Sequence, residues 1–73
     1  MDRERVVSST IVEVGYDPSS RTLELRFTGG RLYRYFDVPE QVFADMLAAP
    51  SKGRYFNREI RDGYRYVRVG RHG

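Results

Sequence analysis

TLELRFTGGRLYRYFDV, residues 22–38, decides the fold, because its two halves alternate around a glycine pair that must be a turn. Leu23, Leu25 and Phe27 point one way and Glu24 and Arg26 the other, the period-2 pattern of a half-buried strand. Gly29 and Gly30 tolerate the positive φ of a tight connection, and LYRYFDV continues as the partner strand. The open question is register. A two-residue Gly29-Gly30 loop pairs Leu25 with Arg34 and sends Arg34 into the core. A three-residue loop, Thr28-Gly29-Gly30, pairs Leu25 with Tyr33 and Leu23 with Tyr35 and turns Arg34 outward. A one-residue slip exchanges the two faces of a strand completely. Burying an arginine without an anion costs several kcal/mol, which selects the three-residue loop. Tyr33 and Tyr35 then pack mainly inward, with their hydroxyls at the sheet rim.

Upstream, TIVEVGY places Val12, Val14 and Tyr16 on one strand face and Ile11, Glu13 and Gly15 on the other. DPSSR is a turn by composition. Three sequential strands with short turns form an antiparallel meander. Downstream the period changes to helical. Pro39 and Glu40 start a helix whose stripe is Val42, Phe43, Met46 and Leu47, and Pro50 stops it. Ser51 caps a second helix, SKGRYFNREIRDG, with Phe56, Ile60 and Tyr64 on its apolar side and Gly63 at a left-handed end. YRYVRV either adds a last short strand or trails over the surface. The expected fold is α+β: a three-stranded meander followed by two helices on one face, with a possible short C-terminal strand. The expected organisation is a flexible leader over 1–8, one domain over 9–69 and a flexible tail over 70–73.

Seventy-three residues make one domain, which buries only about 60% of the surface its unfolded chain exposes. There is no cysteine, hence no disulfide or thiolate metal site. No apolar run approaches the roughly 20 residues of a membrane span, and MDRERVVSST lacks the apolar core of a signal peptide. A cytoplasmic, soluble monomer without a membrane partner is expected. The net charge of +3 is unevenly placed: residues 1–50 carry six arginines against eight acids, residues 51–73 six arginines and Lys52 against Glu59 and Asp62. Arginine forks phosphate and stacks on rings better than lysine does, although a genomic bias toward arginine gives the same count.

At 100° per residue Arg54, Arg58, Arg61 and Arg65 fall within about a 60° arc of a helix, suited to a phosphate backbone or simply to solvent. Candidate nucleic-acid contacts are therefore Lys52, Arg54, Arg58, Arg61 and Arg65, with Arg34, Tyr55 and Tyr66 able to stack on bases. The sole histidine, His72, sits one residue from the end, and no nucleophile elbow, phosphate-cradling loop or metal-ligand cluster occurs. No catalytic residue, cofactor or metal is expected. The functional classes left are RNA binding, to tRNA or a single strand, protein interaction through exposed Tyr and Arg or an open sheet edge, and a structural domain with no ligand of its own.

The chain resembles the KTSC domain, a short module named after the C-terminus of some lysyl-tRNA synthetases that also occurs as a stand-alone bacterial protein. The resemblance runs from Ser9 to about Val69. It rests on Tyr33-x-Tyr35, on Val38-Pro39, on Ser51-x-Gly53-x-Tyr55-Phe56-Asn57, and on Ile60 and Tyr64 behind them. It implies no established activity; a role with RNA is suggested by attachment to a tRNA-handling enzyme.

Overall fold

The hairpin adopts the three-residue register. In the computed structural model, which describes residues 2–5 and 11–69, Leu23 lies opposite Tyr35 and Leu25 opposite Tyr33. The Phe27 N–H donates to the Arg31 carbonyl at 2.8 Å and the Gly30 N–H to the Phe27 carbonyl at 3.0 Å. Gly29 at φ +95° and Gly30 at φ +87° supply the conformation a side chain would resist there. The strands are β1 Asp2–Arg5, β2 Ile11–Asp17, β3 Thr22–Phe27, β4 Leu32–Tyr35 and β5 Tyr66–Val69. They form one antiparallel sheet in the order β1-β2-β3-β4-β5. The C-terminal YVRV is thus a paired strand and not a surface trail.

Residues directly opposite in an antiparallel pair share a face. One face carries Val14, Tyr16, Leu23, Leu25, Tyr33 and Tyr35, and the helices pack on it. Helix α1, Glu40–Ala48, begins after Pro39 and presses Met46 into the core, with Val42, Phe43 and Leu47 half-buried beside it. Phe43 stacks on Tyr16 with ring centroids 5.2 Å apart. The Tyr16 hydroxyl donates to the Val38 carbonyl, tying β2 to the approach to α1. Helix α2, Lys52–Tyr55, starts at Ser51, whose hydroxyl accepts from the Arg54 N–H at 3.3 Å. Ile11, Val14, Leu23, Leu25, Val38, Met46 and Ile60 are fully buried.

Four expectations need correction. Residues 2–5, assigned to a leader, form edge strand β1; DRER has no apolar alternation, and main-chain pairing with β2 recruits it. The rest of the expected leader and the tail over 70–73 lie outside the described residues. In β2 the register shifts between Ile11 and Glu13, a bulge at Val12 that brings Ile11 opposite Phe27 and into the core. The second helix is not uniform, since α2 passes into a π-helical turn, Phe56–Ile60, closed by the Arg61 N–H on the Phe56 carbonyl at 2.9 Å. That wide turn carries both Phe56 and Ile60 inward. Gly63 is not left-handed; a Cβ there would stand 3.2 Å from the Glu59 carbonyl oxygen, so the glycine serves close approach.

Candidate functional site

The two sheet faces differ in chemistry. Away from the helices, charge pairs are laid directly across the strands: Arg26 donates to Glu13 at 3.1 Å and Arg34 to Glu24 at 2.9 Å. Glu24 is only 2% exposed, so Arg34 neutralises a buried carboxylate and its guanidinium is committed there. Arg34 was grouped with the nucleic-acid contacts in the sequence; the fold sets it on the sheet face opposite to the helices.

The helix-covered face is left open toward β4 and β5. Between those strands and the π-turn lies a cleft of about 520 Å³. Its floor is a row of tyrosines: Tyr35 is buried, Tyr33 half-buried, and Tyr66, opposite Tyr35 on β5, is 53% exposed. The Tyr66 ring centroid stands 5.3 Å from that of Tyr35 and 5.7 Å from that of Tyr33. Phe56 meets Tyr35 edge-on at 5.6 Å and Phe27 at 5.2 Å, which closes the back. Arg31, Asn57, Arg61 and Asp62 form the rim. Each of these four side chains is exposed and makes no hydrogen bond or ion pair among the described residues.

Of the sequence-predicted contacts, the cleft unites only Arg61 and Tyr66. Because the π-turn adds a residue to the helical repeat, the even spacing behind the arginine arc does not hold past Phe56. Arg54 is exposed. Arg58 pairs with Glu59 at 2.9 Å and lies over the Tyr55 ring at 5.6 Å, so the Tyr55 ring is half-buried and already stacked rather than free. Arg65 lies 3.9 Å from Asp37, and Lys52 donates to the Ala49 carbonyl at 2.8 Å. Arg31 and Asp62 were not among the candidates. Arg31 directly follows the glycine turn, and its nearness to β5 depends on a strand pairing that local periodicity does not carry. Asp62 reads locally as a helix-end charge. The family-type residues divide between core and cleft: Val38, Phe56 and Ile60 are buried, Tyr55 and Tyr64 half-buried, and Asn57 faces the cleft.

Burial pushes the Tyr35 hydroxyl from 10.0 up to about 12, with Tyr66 and Tyr33 adding to the shift and Arg61 opposing it. Burial also raises Tyr16 and Tyr55. The unfolded chain therefore loses these protons first. Stability is expected to hold up to about pH 10 and to fall between about pH 10 and about pH 12. Urea midpoints on either side of pH 10, with tyrosinate absorbance followed in parallel, check this; a midpoint indifferent to pH through that window would contradict the burial of Tyr35.

The KTSC domain family matches residues 7–69. A protein of Tsukamurella paurometabola is 50% identical over 62 residues, covering 85% of this chain and 92% of its own length. A lysine–tRNA ligase of a Nostoc species is 43% identical over 54 residues, 74% of this chain but 10% of the ligase. Among solved structures, a KTSC domain protein from Yersinia pestis superposes with a TM-score of 0.89 at 38% identity, covering 94% of this chain and 97% of that one.

Proposed function

The chain belongs to the KTSC domain family, and on that premise we propose that it is a small, non-catalytic binding domain whose ligand is RNA. The cleft carries the proposal. A row of tyrosines ending in the exposed Tyr66, bordered by Arg31 and Arg61, which are unpaired among the described residues, combines a stacking surface for a base with cations for the phosphates on either side. Outside the cleft the exposed Arg54 offers a further cation, and Arg58 and Arg65 offer two more once they exchange their exposed acidic partners for phosphate. The rim residues bind and stack; none supplies a nucleophile beside a base. That a similar segment occurs within a tRNA ligase supports tRNA as the RNA class.

A second reading follows from the edge of β5, where Tyr66 and Val67 are exposed at 53% and 48% and a partner protein's strand can add to the sheet. Salt separates the two. Affinity for bulk tRNA, followed by fluorescence anisotropy, is expected to weaken roughly tenfold between 50 and 200 mM salt for two or three phosphate contacts to a single-stranded region. Absence of binding at low salt would overturn the RNA reading, and binding that salt leaves unchanged would favour the protein edge.

A further inference from the structure

We infer that the cleft selects guanine: it receives one unpaired guanosine of an RNA strand, stacked on Tyr66 and read at its Watson–Crick edge by Asp62. This inference rests on RNA binding at the cleft and adds which base it takes. Tyr66 is the exposed ring of the tyrosine row and carries the base by its π-face, which alone would accept any base. Selection has to come from the rim. Asp62 presents a carboxylate, which accepts two hydrogen bonds side by side and donates none.

The four bases answer that carboxylate differently. Guanine offers N1–H and the N2 amino group next to one another, two donors for two oxygens. Adenine and cytosine each set one donor beside an acceptor, and uracil sets its single N–H between two carbonyl oxygens. Against those three the carboxylate meets a lone pair, a repulsion that a solvated base avoids. Asn57, on the same rim, can donate its amide to O6. The rim cations, Arg31 and Arg61, are left for the phosphates. These rim side chains have no partner among the described residues, so reading a base breaks no internal contact.

The test is anisotropy of labelled single-stranded uridine oligonucleotides that carry one central guanosine, adenosine or inosine, at fixed low salt. The guanosine strand is expected to bind about tenfold tighter than the adenosine strand or better, with inosine, which lacks the N2 amino group, in between. In Asp62→Asn the guanosine preference should disappear, while the adenosine strand, freed of the lone-pair repulsion, binds at least as tightly as before. Asp62 is exposed and unpartnered among the described residues, so that variant keeps its fold, checked by its amide NMR spectrum. Equal binding of all three strands by the wild type, or an unchanged ranking in Asp62→Asn, would overturn guanine selection and leave RNA binding standing. If none of the strands binds, the RNA reading falls and this inference with it.

Discussion

Alanine at position 35 is expected to cost about 3–5 kcal/mol of folding stability, the range for removing a buried ring. Tyr35 is 3% exposed and touches the rings of Phe56, Tyr33 and Tyr66, so its loss opens the seam between β4 and the π-turn from inside. A domain of this size commands about 4–11 kcal/mol in total, at 0.05–0.15 kcal/mol per residue, and the variant should lie near the edge of folding. Thermal melts are expected to fall by more than about 12 °C. Tyr35→Phe keeps the ring and should stay within about 1 kcal/mol of the wild type. A Tyr35→Ala midpoint close to the wild type's would mean that the tyrosine row is a surface feature rather than the wall of a core.

The second large effect concerns the ligand. Tyr66→Ala is expected to weaken RNA binding by about 1–3 kcal/mol, roughly 5- to 150-fold, because it removes the exposed stacking ring. Arg61→Gln should weaken binding to every sequence alike and lower the salt slope by about one. The two together should bring affinity near the limit of detection. Arg58→Gln is the comparison: its guanidinium already serves Glu59 and the Tyr55 ring, so its loss should matter less than that of Arg61. Equal affinity for wild type and the Tyr66→Ala, Arg61→Gln double variant would remove the cleft from RNA binding.

The hairpin register was legible because one residue forced it. Arg34 in the wrong face is expensive, and the structure uses the outward face to pair it with Glu24. Pro39 and Ser51 were legible as helix starts because each acts on the backbone beside it. Strand β1 was not, since an edge strand of alternating charges is held by main-chain bonds with no side-chain signature. Nor were the bulge at Val12 and the π-turn, where one extra residue serves packing elsewhere in the core. The cleft suffered most. Arg31, Asn57 and Tyr66 come together only once β5 has paired with β4 and the π-turn has packed on Tyr35, whereas the sequence drew attention to a regular arc of arginines that the π-turn interrupts.

The most direct test is an NMR titration of isotope-labelled protein with short single-stranded RNA at low salt. Binding in the cleft predicts amide shifts at Arg31, Tyr33, Asn57, Arg61, Asp62 and Tyr66 that fade as salt rises, while Glu13, Glu24 and Arg26 on the opposite face stay still. Absence of shifts at low salt, or shifts confined to that opposite face, would contradict it.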